Sequence, residues 1–324
     1  MAAQESRELL DYFERRRDEL IEELASWVRF DTPTGHAERI AAFAGHYASG
    51  LEAAGLTCER IDDRKGPHLL AERAGVDPPI VLVGHTDTVW PDGEATRRPP
   101  EVRDGRLWGP GVYDMKAGLG LILWSLRHLS ETRPDYRRRI LVFISADEEH
   151  ASETARPWMD ARLPTEGVAL VPEPPCPDGS LKISRKGVGL FDLEVIGREV
   201  HAGVEPEKGI SAISEAARFA IEIETWRNAA RGQQTNVGTF EGGTATNVVA
   251  GRATLGIDFR YESMADGREL EAKLRALRPR HPEAKVNVTG SLAFPPMIPN
   301  AQSRELSERL GAIAHDEFGE TGGA

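Results

Sequence analysis

Three short apolar runs each end in side chains able to hold a metal or carry a proton. PIVLV (79–83) stops at Gly84 and delivers His85 and Asp87. ILVFIS (140–145) stops at Ala146 and delivers Asp147, Glu148 and Glu149. VALV (168–171) stops at Pro172 and delivers Glu173. Between the first two lies the glycine-punctuated turn GPGVYDMKAG, which carries Asp114. One histidine and several carboxylates, with no cysteine among them, suit a hydrolytic zinc site better than a structural one. His85 and Asp87 are two residues apart, so an extended backbone puts both on one face. Asp87 is then placed to fix the second ring nitrogen of a metal-bound histidine. Asp114 can bridge two metal ions about 3.5–4 Å apart, and Glu173 can complete the shell of the second. Glu148 and Glu149 are adjacent, so one can ligate while the other handles protons. Two ions so held would polarise a scissile carbonyl and lower the pKa of a bridging water.

The elements that must position these groups are legible in outline. Val/Ile/Leu-rich runs bounded by turn residues read as strands buried on both faces of a parallel sheet, and ligands gather outside the carboxyl ends of such strands. Leu9, Leu10, Phe13, Leu20, Ile21, Leu24 and Val28 recur at three- and four-residue steps, which predicts an amphipathic helix over 6–29. A second helix is expected over 37–54, with Gly55 as a left-handed cap. Strand 79–83 leads into a Pro/Gly-rich loop. AGLGLILWSLRHL reads as a buried helix before strand 139–145, and this alternation predicts an α/β fold with a mostly parallel sheet. Near residue 180 the pattern changes. GLFDLEVIG, ISAISEAARFAIEIETW, QQTNVGTF, ATLGIDFRY, LEAKLRAL and AKVNVTGSL read as β-α-β-β-α-β, the ferredoxin-like order. The expected organisation is a catalytic α/β domain over 1–180 and 294–324, with a unit over 181–293 inserted into it and a last helix over 301–318.

Composition narrows the function. The chain of 324 residues has a net charge of -12 and a pI near 5.3, which argues against nucleic acid or an anionic membrane as the main partner. No apolar stretch approaches the roughly 20 residues needed to span a bilayer. The charged N-terminal stretch lacks a signal-peptide core, and Cys58 and Cys176 form no close-spaced motif, so a cytoplasmic location is expected. No G-x-G-x-x-G follows a strand and no phosphate-binding G-x-x-x-x-G-K-[ST] occurs, which leaves a nucleotide-dependent enzyme without support.

Taken together, GHTDTV, GPGVYDMKAG, ADEEH, VPEP and REVHAGVEPEKG resemble the co-catalytic zinc peptidases and amidohydrolases that include glutamate carboxypeptidase, aminoacylase and succinyl-diaminopimelate desuccinylase. The glutamate carboxypeptidase branch is the most similar. The resemblance implies that His85, Asp114 and Glu173 hold one zinc, that Asp114 and Glu149 hold the other, and that Glu148 is the general base. Co2+ or Mn2+ could replace Zn2+. It also implies a cis peptide after Asp114. The inserted unit is similar to the family's lid and dimerisation domain, so a homodimer is expected. His201 would reach the partner's site and stabilise the oxyanion, while Asn247 and Arg260 would hold a substrate carboxylate or developing charge. The implied substrate is a small peptide or an N-acyl amino acid. His36, His46, His68, His128, His150, His281 and His315 read as structural or exposed. In the family a glycine-rich segment like the final ETGGA opens the last active-site motif, and a further stretch supplies the final zinc-ligating histidine. The resemblance therefore implies a chain without that ligand, for which His150 and His315 are the possible substitutes. The alternative expectation is a non-catalytic relative with a binding or dimerisation role.

Overall fold

The computed structural model describes residues 2–318, with side chains for 7–313. These residues form two compact units, one of 2–178 with 313–318 and the other of 179–312.

The first unit opens with helices α1 (Ala2–Arg15), α2 (Arg17–Val28) and α3 (Ala37–Ala53). The single helix expected over 6–29 is thus two. The charged run 14–19 interrupts the apolar stripe, and Arg16 leaves helical geometry at φ -109, ψ 15. Its guanidinium donates to the Tyr12 hydroxyl at 3.0 Å and to Glu131 at 3.1 Å. Gly55 closes α3 as expected, at φ +90, where a side chain would be strained. Next come strands β1 (Thr57–Ile61), β2 (His68–Arg73) and β3 (Val76–His85), the single helical turn α4 (Glu94–Arg97), and the hairpin β4 (Glu101–Arg103) and β5 (Arg106–Trp108). Helix α5 (Ala117–Thr132), strand β6 (Arg138–Ser145), helix α6 (Ala155–Arg162) and strand β7 (Val168–Leu170) complete the unit.

One sheet runs in the order β1-β2-β6-β3-β7. The pairs β6–β3 and β3–β7 are parallel, while β1–β2 and β2–β6 are antiparallel. The α/β class holds, and the sheet is mixed. It is parallel where strands alternate with helices and antiparallel at the β1–β2 edge. Every residue of β6 from Ile140 to Ser145 is buried, as its unbroken apolar run requires of a central strand. Trp27, Phe43, Tyr47, Leu119, Leu123 and Val142 pack as the core between sheet and helices. No helix among the described residues is long and apolar enough to cross a membrane.

The second unit contains β8 (Gly187–Ile196), the two-residue β9 (Val200–His201), α7 (Ala212–Glu224), β10 (Gln234–Gly242), the two-residue β11 (Val248–Val249), β12 (Arg252–Tyr261), α8 (Met264–Ala276) and β13 (Lys285–Phe294). Its main sheet is antiparallel in the order β10-β12-β8-β13. With β8, β10, β12 and β13 counted as the four strands, this is the β-α-β-β-α-β topology read from the sequence. Strict alternation in β8 and β12 buries Phe191, Leu193, Val195, Leu255, Ile257 and Phe259 on one face, where α7 and α8 contribute Phe219 and Leu270. Serine side chains cap both helices: Ser211 accepts the Ser214 amide and Ser263 the Asp266 amide. Helix α9 (Ala301–Phe318) follows, and its residues divide between the two units at Ile313.

Candidate metal centre

Because β6, β3 and β7 run parallel, their carboxyl ends fall on one edge of the sheet, with His85 opposite Ser145 and Leu82 opposite Leu170. His85 closes β3, Glu148 and Glu149 follow β6 in one turn of 3-10 helix (Glu148–His150), and Glu173 follows β7. Asp114 arrives separately, in the turn between Gly111 and α5. Gly111 has φ +69, and a side chain there would press on Thr88. The peptide Asp114–Met115 is cis. A Cβ on Gly118 would lie 2.1 Å from the Pro172 carbonyl oxygen, so this glycine lets the Glu173 loop rest against the start of α5.

His85 is the hub, with 1% of its surface exposed. Its Nε2 lies 3.1 Å from Asp114 Oδ1 and 3.3 Å from Glu173 Oε1. Nδ1 faces Asp87, 2.9 Å from the carbonyl oxygen and 3.2 Å from Oδ1. Ligand atoms of His85, Asp114 and Glu149 all lie within 4.8 Å of one another. Burial alone disfavours an imidazolium, but hydrogen bonds with Asp114, Asp87 and Glu173 outweigh it and push His85 up to about 12. Glu149 is pushed up to about 7 by burial and then by Asp114. Partial burial, followed by Glu173, Asp87 and Asp114, holds Glu148 above the usual carboxylate range against the opposing pull of His85. Glu148 nonetheless keeps an open face to solvent. So much negative charge around one ring is the electrostatic condition that favours a divalent cation. An imidazole nitrogen with carboxylate oxygens is also a donor set zinc takes in hydrolytic sites. The residues present fit the metal.

Asp87 braces this arrangement from below. It is fully buried; Oδ1 accepts the Glu148 amide at 3.0 Å, and Oδ2 accepts the Glu149 amide at 3.2 Å and the Thr34 hydroxyl at 2.8 Å. Burial would raise its pKa, but contact with His85, the Thr34 hydroxyl and the Glu148 amide hold it below the usual value. One carboxylate thus orients the histidine and both glutamates.

The second unit brings two of its three candidates together. His201 pairs with Val248 across β9 and β11, and the Asn247 carbonyl accepts the Ala202 amide at 2.9 Å. The Gly203 amide donates to His201 Nδ1 at 3.1 Å, which leaves the ring proton on Nε2. Both residues are exposed. Arg260 stands elsewhere. It lies eight residues along β12 from Arg252, a run of about 26 Å at the rise of a strand, while the β9–β11 pair lies beyond the Arg252 end. Its Nε and Nη2 grip the two carboxylate oxygens of Asp258, each at 2.8 Å. Within one copy of this unit the three side chains do not converge.

Residues 183–285 match the family model described as a peptidase dimerisation domain. The chain is 27% identical over 315 residues to carboxypeptidase G2 of Pseudomonas sp. (strain RS-16), covering 94% of this chain and 75% of that protein. It is 28% identical over 256 residues to succinyl-diaminopimelate desuccinylase of Rhodospirillum rubrum, covering 70% of this chain and 65% of the relative. The fold is that of the aminopeptidase PepT from Bacillus cereus, with a TM-score of 0.76 and 21% identity over 94% of this chain and 83% of that one. These likenesses support kinship with the M20 peptidases: the relatives are hydrolases of metallopeptidase and amidohydrolase type, and the second unit carries the match to their dimerisation domain. It spans 65–75% of the length of these two curated relatives.

Sequence reasoning misses two supports of this cluster: Thr34 sits in a turn with no periodic signal, and Gly118 reads only as part of a helix. Of the possible substitute ligands, His150 is exposed on the turn that carries Glu148 and Glu149. The side chain of His315 and the ETGGA segment lie outside the described residues.

Proposed function

We propose that the chain is a zinc-dependent hydrolase that cleaves an amide or peptide bond beside a free carboxylate, with a catalytic domain over 1–180 and 294–324, and that it acts as a homodimer joined through the inserted 181–293 unit. The observation that carries this reading is the convergence of three parallel strand ends on Asp114, with His85 Nε2 between Asp114 and Glu173. His85, Asp114 and Glu173 would hold one zinc, and Asp114 with Glu149 the other. Held by these residues, zinc would supply Lewis-acid chemistry, polarising the scissile carbonyl and lowering the pKa of the attacking water. Glu148 accepts the proton of the attacking water on its carboxylate and delivers it to the amide nitrogen that leaves. Asp87 keeps His85 Nδ1 occupied and holds the Glu148 amide, so base and ligand move as one body. His201, with its proton on Nε2, is the donor for the oxyanion, and its exposure supports action in the site of the partner subunit. Asn247 and Arg260 bind the substrate. The grip of Arg260 on Asp258 supports a guanidinium fork suited to a carboxylate. The names of the relatives, a carboxypeptidase and a desuccinylase, favour small peptides or N-acyl amino acids. Two free thiols, Cys58 and Cys176, fit a cytoplasmic setting.

The test is hydrolysis of N-acetyl, N-succinyl and N-benzoyl amino acids and of dipeptides by protein stripped of metal and reloaded with zinc. Turnover of free-carboxylate forms, and little of their amides, is expected. Bound zinc without turnover of any of them would favour the non-catalytic alternative.

A further inference from the structure

We propose that His68 is a positioning residue for the turn that carries Glu148 and Glu149. The proposal rests on the reading of those two residues as base and ligand. Strand β2 pairs antiparallel with β6, with Leu69 opposite Ile144, so His68 at the start of β2 lies beside the point where β6 gives way to the turn. The ring is fully buried and lies over Phe143, with centroids 6.1 Å apart and planes 23° apart. Its Nδ1 accepts the Ala146 amide at 3.1 Å. A nitrogen that accepts carries no proton, so the ring proton sits on Nε2, which faces the Thr154 hydroxyl at 3.1 Å. The imidazole therefore ties down both ends of the segment 146–154.

The rest of that segment closes on itself. Asp147 Oδ2 accepts the Thr154 amide at 2.7 Å and Oδ1 the Ala155 amide at 3.3 Å, while its carbonyl accepts the amides of His150 and Ser152. Asp87 holds the middle at the amides of Glu148 and Glu149. From the antiparallel edge of the sheet Lys65 also pairs with Asp147 and Glu153, and Arg64 with Glu153, but these are ion pairs to side chains, whereas His68 accepts the backbone amide that opens the turn. An aliphatic side chain there would leave the Ala146 amide buried without an acceptor. Displacing a reacting group by about 1 Å costs on the order of a hundredfold in rate, so a loosened turn weakens turnover without touching substrate.

The variants His68→Leu and His68→Asn separate positioning from plain core packing, because an asparagine oxygen can replace Nδ1 as acceptor. Hydrogen exchange, zinc content, and kcat and KM on a hydrolysed N-acyl amino acid are measured for each. In His68→Leu, exchange over 145–154 should rise about tenfold, the effect of losing one buried hydrogen bond, with the rest of the sheet and zinc content unchanged. Its kcat should fall about ten- to a hundredfold at constant KM, and His68→Asn should recover most of both. Unchanged exchange in the segment, a rise spread across the whole unit, or an Asn variant no better than Leu would overturn the proposal. Should His68→Leu fail to fold, Thr154→Ala removes the partner of Nε2, and the same exchange criterion decides. Exchange needs no turnover, so a wild type that hydrolyses nothing refutes the functional reading alone and leaves the role of His68 to be judged from exchange.

Discussion

His85 and Arg260 both stand at the end of a strand, β3 and β12, yet their surroundings differ completely. His85 is buried and touches three carboxylates, each delivered by a separate segment. Arg260 is exposed and, among the described residues, grips Asp258, two residues back on its own strand. The first arrangement needs most of a sheet to hold it, while the second needs one strand. A group that holds a metal must be fixed before the metal arrives, so its support is built into the core. A group that meets substrate can wait on the surface, and the partner it waits for lies outside its own strand and loop. In the proposed roles His201 and Asn247 would belong with Arg260 in this respect; both are exposed, although they sit beyond the other end of β12.

The comparison can be broken at several points. The largest effect is expected at the core site. Glu148→Gln should lower kcat by about a hundred- to ten-thousandfold while zinc content stays that of the wild type. Loss of zinc instead would mean that Glu148 ligates and Glu149 handles the proton. His201→Ala should lower kcat by about a hundred- to a thousandfold, as for one lost oxyanion donor. Mixing it with Glu148→Gln should restore part of the activity, because each heterodimer holds one site with both groups intact. No recovery, with subunit exchange demonstrated, would place His201 in its own subunit's site or outside the chemistry. A smaller effect is expected at Arg260. Arg260→Ala should raise KM for free-carboxylate substrates by about tenfold, with Arg260→Lys between it and the wild type because lysine lacks the planar fork. An unchanged KM would reduce the residue to its pair with Asp258.

The smallest effect concerns stability rather than rate. Burial holds the His68 ring below its usual value of 6.5, against the pull of Asp147, Asp63 and Asp87. A histidine kept neutral in the folded state contributes stability that is fully present above its unfolded pKa. That contribution is lost as pH falls from 6.5 toward the lower folded value. The thermal midpoint of the wild type should therefore drop more steeply between pH 7 and about pH 5 than that of His68→Asn. Parallel profiles would show that His68 does not titrate in this way.

The sequence carried the core site further than its support. Strand-end residues such as His85, Glu148 and Glu173 follow unbroken apolar runs, and such runs have few ways to fold other than as buried parallel strands. The edge strands were invisible for the opposite reason. TCERI is short and mostly exposed, and HLLAER holds only three apolar side chains after its histidine. With β2 unseen, nothing in the sequence could place His68 beneath Ala146. The hairpin at Asp104 and Gly105, with φ of 53 and 71, carried a readable Asp-Gly turn signal that was absorbed into a loop. Resemblance named Arg260, but only the register of β12 shows how far it lies from the β9–β11 pair.

The central claim is that the carboxyl ends of β3, β6 and β7 form one metal centre around Asp114. Calorimetric titration of metal-stripped protein with Zn2+ tests it directly, with Asp114→Ala and Arg260→Ala measured alongside. The account predicts stoichiometric zinc binding in the wild type, the same binding in Arg260→Ala, and loss of binding in Asp114→Ala. Zinc binding that survives Asp114→Ala unchanged, or a wild type that takes up no zinc, would contradict it.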